Sequence, residues 1–170
     1  MSVDVFAADE QSDRPVDLDR WVRLARDVLD ARGLGAGVEV SLLFVDEAAI
    51  AALNEQFLNR SGPTDVLAFP LEDDPVPSGR SPDFGGAGPG SEPEQEPLVL
   101  LGDVVVCPTV AARNAVEHEV SLDDEVALLV VHGLLHLLGM DHEDDAEAER
   151  MEALEQELLT RYYREQVSGA

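Results

Sequence analysis

VHGLLHLLGMDH, residues 131–142, carries three of the chain's four histidines: His132, His136 and His142. The apolar run VALLVV (126–131) leads into it, so the segment reads as a buried helix. Four residues are slightly more than one helical turn, and His132 and His136 therefore project from one face. Gly139 supplies a helix end. Beyond it, Met140 and Asp141 let the chain turn back and bring His142 towards the first two. Three neutral imidazoles at one point, with no fourth ligand in the stretch, predict an open catalytic zinc site with one ion per chain. A single histidine here would be read as a core residue or a helix cap. The spacing H-x-x-x-H-x-x-G-x-x-H makes that reading poor for three. His118 is a further candidate ligand, although nothing in its spacing favours it.

Zinc lowers the pKa of a bound water to about 7, which is the chemistry such a site brings to neutral pH. Peptidases built on H-E-x-x-H place a glutamate beside the first histidine as general base. Here that position is Gly133, which argues against a peptidase. Glycine inside a helix costs about 1 kcal/mol relative to alanine, so a close approach of some other group is expected there. A missing side chain beside the metal would also leave room for a bulky group. Three neutral ligands leave the ion's charge undiminished, a local attraction for phosphate. Asp141 is the nearest carboxylate, suited to orienting a histidine or handling protons, with turn chemistry as the plainer alternative.

The wider composition bounds the answer. The chain has 170 residues, the length of one ordinary domain, and a formal net charge of −25. All 11 basic residues are arginine. Such a surface opposes broad nonspecific binding to nucleic acid, DNA included, because that affinity comes from basic groups. It does not exclude one local cationic site. Salt adaptation or an arginine-favouring genome would each explain the absence of lysine. The opening MSVDVFAADE lacks a signal-peptide pattern, and no apolar run is long enough to span a bilayer. The single Cys107 permits no internal disulfide and reads as a small buried residue at a strand end. A cytoplasmic protein without membrane contact is expected.

Along the chain, VDVFAA opens as a strand. A helix is expected over about Asp17–Arg32, with Trp21, Leu24, Ala25, Val28 and Leu29 inward. VEVSLLFV (38–45) is the next strand, and Asp46 caps a short helix through Ile50 and Phe57. DVLAFPLE follows as a strand whose Pro70 marks an edge or an end. Residues 72–97, rich in proline, glycine and acid, read as a mobile loop within one domain spanning 1–170. LVLLGDVVVCP (98–108) is a buried strand interrupted at Gly102-Asp103. Helices follow at about 109–117, 123–139 and 145–165, the last with a core stripe of Ala148, Met151, Leu154, Leu158 and Tyr162. The class is α+β, one mixed sheet of about four strands packed with about five helices.

HGLLHLLGMDH resembles the signature of the YbeY family, bacterial metal-dependent endoribonucleases. PTDVLAFP (63–70) and LGDVVVCP (101–108) are similar to two further family stretches, in the same order. The resemblance implies a zincin-like fold, cleavage of single-stranded RNA, work on ribosomal RNA and the ribosome, and His132, His136 and His142 as the metal ligands. Two positions depart from the pattern. Ala68 replaces a usual serine, and a frequent functional arginine falls on Leu58. Arg60 is the nearest arginine and is expected either to contact substrate phosphate or to be a solvated loop residue. Asp65 and Asp103 read as turn or strand-end residues. The resemblance leaves two other readings open: a peptidase-like hydrolase, and a non-catalytic ribosome-assembly protein with structural zinc.

Overall fold

A computed structural model describes residues 3–34, 37–70, 99–140 and 145–164. The proposed 72–97 loop, Asp141 and His142 lie outside them. The elements run β1 (Asp4–Asp9), α1 (Leu18–Ala31), β2 (Val38–Phe44), α2 (Glu47–Leu58), β3 (Val66–Pro70) and β4 (Val99–Val106). Helices α3 (Pro108–His118), α4 (Leu122–Leu137) and α5 (Asp145–Leu158) follow, and a π-helical turn, Leu159–Arg164, continues α5. The final helix is therefore not α-helical throughout 145–165 as expected.

The helices start where short polar side chains can serve free backbone N–H groups. Asp17 accepts from Arg20 N, Asp46 from Ala49 N, and Ser121 from Asp124 N. The apolar stripe expected on α1 is buried in full. The sheet order is β1-β2-β4-β3, with β1, β2 and β4 parallel and β3 an antiparallel edge ending at Pro70. An edge strand tolerates the missing proline donor.

Strand alternation divides the core into two layers. Val40, Leu42, Phe44, Val104 and Val106 face α1 and α4, while Val45, Leu67, Val105 and Cys107 face Ile50 of α2. Cys107 is fully buried at the end of β4, as expected, and burial pushes its thiol pKa up. The second layer thus lies across the sheet from α4.

β4 is continuous, contrary to the expected interruption at Gly102-Asp103. Its register to β2 shifts so that Glu39 pairs Leu100 and Val40 pairs Gly102, leaving Leu101 as a bulge. Gly102 has φ +137°, and a Cβ there would lie 2.4 Å from the Phe69 carbonyl oxygen. Two constraints therefore demand glycine. Asp103 accordingly sits inside the strand, not at its end.

Arg20 and Tyr163 dock the C-terminal segment. The Arg20 guanidinium lies 5.1 Å from the Trp21 ring centroid and 4.9 Å from that of Tyr163, and it pairs with Asp123 at 2.8 Å. The Tyr163 hydroxyl donates to Asp124 at 2.8 Å. These contacts join α1, the first turn of α4 and the π-helical turn after α5.

The helix α4 lies against β4 at Gly133. A Cβ at Gly133 would stand 2.7 Å from Val104 Cγ1. The expected close approach is present, but its cause is packing on the sheet; the position leaves no room for a bulky group. Gly133→Ala gains about 1 kcal/mol of helix propensity and meets an overpacking cost of about 1–3 kcal/mol against a stiff β-branched side chain. A net destabilisation is expected in urea unfolding. A more stable variant would show that the contact yields without cost.

Candidate metal centre

Two histidines emerge from α4 as their spacing requires. Their rings stand 4.6 Å apart between centroids at 75°, with Nε2 of His136 3.1 Å from Nε2 of His132. Both rings are half-buried, while Gly133, Leu134, Leu135 and Leu137 between and beside them are buried. The apolar positions fix the helix, and the histidines occupy the margin of its buried face.

Gly139 ends this helix as expected. Its φ is +92°, its N–H donates to His136 at 2.9 Å, and Met140 N–H donates to the Leu135 carbonyl at 3.0 Å. That paired bonding is the Schellman arrangement, in which a left-handed residue closes the last turn. The helix thus closes within three residues of His136. Asp141 and His142 are outside the described set, and α5 begins at Asp145.

The returning helix delivers a residue that the sequence reading missed. Glu155 is buried and its Oε2 hydrogen-bonds Nδ1 of His132. It follows Met151 by four residues and precedes Leu158 by three, both of them buried. A carboxylate on the apolar stripe was the available signal, because an isolated buried carboxylate is costly and demands a partner. The stripe itself was correct at Met151 and Leu158, with Ala148, Leu154 and Tyr162 partly buried.

Other candidates stand elsewhere. His118 is at the far end of α4's neighbour α3, where its Nδ1 lies 2.9 Å from the buried Glu125. Glu125 precedes His132 by two helical turns, about 10 Å at the α-helical rise, so His118 does not join the pair. Cys107 faces the other layer of the sheet. Arg60 is exposed after α2, its backbone N–H donating to the Asn54 carbonyl at 3.2 Å. Asp65 is structural: it accepts from Asn114 Nδ2 at 3.0 Å, and its carbonyl accepts from Cys107 N–H at 2.9 Å. Among the described residues, no cluster of three or more His, Cys, Asp or Glu side chains is arranged to hold a metal.

A family model described as Endoribonuclease YbeY matches residues 6–163. This chain belongs to the endoribonuclease YbeY family. The endoribonuclease YbeY of Thermobifida fusca is 44% identical over 164 residues, covering 96% of each chain. That of Acidothermus cellulolyticus is 47% identical over 148 residues, 85% of this chain and 84% of the relative. The solution structure of TM1509 from Thermotoga maritima matches with a TM-score of 0.62 at 25% identity, over 98% of this chain and 93% of that one. The YbeY match includes α4 and Glu155, so the histidine pair and its carboxylate lie inside the shared region.

The His118–Glu125 contact gives a pH signature separate from the site. Its hydrogen bond to Glu125, then the charges of Glu125, Glu117 and Asp65, raise the His118 pKa above the ordinary imidazole value. A raised folded-state pKa stabilises fully below about 6.5, the unfolded value, and that stabilisation is lost as pH rises through the folded value. The stability advantage of the native chain over His118→Gln should therefore be larger at pH about 5.5 than at about 8.5. Urea unfolding at both pH values checks this, and an advantage that grows with pH would contradict it.

Proposed function

We propose that this chain is a zinc-dependent endoribonuclease that cuts single-stranded RNA, with ribosomal RNA as its substrate class and the ribosome as its working partner. His132, His136 and His142 are the proposed metal ligands. The observation that carries the reading is the 3.1 Å separation of the two Nε2 atoms. Nitrogens bound about 2.0–2.1 Å from tetrahedral zinc stand roughly 3.3–3.4 Å apart, so the pair needs only a few tenths of an ångström to take the ion. At this distance one ring donates to the other. With the donor ring's proton on its Nδ1 instead, both neutral imidazoles direct an Nε2 lone pair into the same space. The residues present fit the metal.

A bound zinc ion would supply Lewis-acid stabilisation of charge developing on a phosphodiester. The chain's own groups supply its placement. Gly133 seats α4 on β4 with His132 immediately before it, and the Schellman end closes the helix just after His136. Arg60 is proposed to contact substrate phosphate through its exposed guanidinium, in the loop leading into β3. Asp141, adjacent to His142 in sequence, is proposed to orient a ligand or handle protons.

The other readings are less well supported. A peptidase base at position 133 has no space, because Val104 already meets a single Cβ there. A closed structural zinc site needs a fourth protein ligand; Cys107 is across the sheet and His118 pairs with Glu125. No helix among the described residues is long and apolar enough to cross a membrane, which accords with a cytoplasmic place of work. The 36 acidic residues disfavour broad nucleic-acid binding, so substrate selection is assigned to the local site and to the ribosome.

The test is cleavage of end-labelled single-stranded RNA by purified protein, with chelator, with zinc restored, and with His136→Ala purified identically. Cleavage that chelator removes, zinc restores and the variant lacks is the expected result. Equal cleavage by native and variant protein would overturn the proposal.

A further inference from the structure

We infer that Glu155 is a positioning residue for the metal centre: it holds His132 as the Nδ1–H tautomer, so that the Nε2 lone pair is presented beside His136. The inference rests on the reading of these histidines as metal ligands. Three observations carry it. First, Glu155 is only 6% exposed, on the stripe of α5 that places Met151 and Leu158 in the core. A carboxylate in such a position is retained only where a charge-assisted hydrogen bond offsets its desolvation.

Second, the carboxylate meets Nδ1 of His132 and not Nε2. A neutral imidazole has one donor and one acceptor nitrogen, and a carboxylate accepts only; the proton therefore belongs on Nδ1. Third, Nε2 is the atom that faces His136 Nε2. The carboxylate lies on the opposite side of the ring from that meeting point, so it orients a ligand without being one. Partners of this kind fix the ring and raise its basicity, and their loss weakens metal binding by about 10–100-fold.

The placement also ties metal binding to the C-terminal helix. Glu155 reaches His132 because Met151 and Leu158 seat α5 in the core. A change that undocks α5 removes the carboxylate while leaving both α4 histidines in place.

The experiment is zinc affinity, measured by competition with a chromophoric chelator, for the native chain, Glu155→Gln, Glu155→Ala and His136→Ala. Glu155→Ala is expected to bind zinc about 10–100-fold more weakly. Glu155→Gln should fall between it and the native chain, because the amide oxygen still accepts from Nδ1–H without charge. Native-like affinity in Glu155→Ala, with affinity lost in His136→Ala, would overturn the role of Glu155 and leave the metal site standing. No zinc binding by the native chain would overturn the metal reading and this inference with it. Long-range proton–nitrogen NMR of the native zinc-loaded protein decides the matter without a folding-sensitive variant. A proton on Nδ1 of His132 is expected, and a proton on Nε2 would overturn the inference.

Discussion

The contact of Gly133 with Val104 sets the distance between helix α4 and the sheet, and the candidate site depends on that distance. A side chain at 133 would force the helix or Val104 to shift, since even a Cβ meets Val104 at 2.7 Å. His132 immediately precedes Gly133, and His136 lies about one turn after it. Close packing transmits small shifts instead of absorbing them, so the depth of both imidazoles is set by a glycine that carries no chemistry. Gly102 acts similarly from the strand side, where the missing Cβ admits the Phe69 carbonyl and where Leu137 lies 2.9 Å from an added Cβ.

Around this contact the polar groups divide by role. Asp17, Asp46 and Ser121 begin helices, Asp124 receives Tyr163, and Asp123 receives Arg20. These polar groups cap helices or tie elements together at the surface, where charge is largely solvated. Glu125 and Glu155 are different, because both are buried and each meets a histidine. Only the second of those pairs adjoins another imidazole. In a chain with a net charge of −25, the proposed site would reverse the local sign through neutral nitrogen ligands and a cation.

Much of this was legible in the sequence because helix geometry is local. The spacing of His132 and His136 predicted a shared face, Gly139 predicted the helix end, and Trp21, Leu24, Ala25, Val28 and Leu29 predicted the inner side of α1. Long-range pairing was less legible. Leu101 bulges because of its register against Glu39 and Val40, which no local pattern encodes. Gly133 in a buried helix predicts a close approach but not its partner, because Val104 lies on a strand 29 residues earlier. Glu155 was passed over because the stripe was read for apolar residues, and its partner lies on a different helix. The resemblance to YbeY endoribonucleases supplied the RNA reading, which no spacing within the chain could provide.

The central proposal is that His132, His136 and His142 hold one zinc ion, with no sulfur ligand. Zinc K-edge X-ray absorption of the purified, metal-loaded protein tests this most directly. The account predicts one zinc per chain, a shell of nitrogen and oxygen atoms at about 2.0–2.1 Å, and imidazole scattering from three rings. A sulfur shell at about 2.3 Å would contradict it, because Cys107 would then have to cross the sheet, and so would a spectrum with imidazole scattering from fewer than three rings.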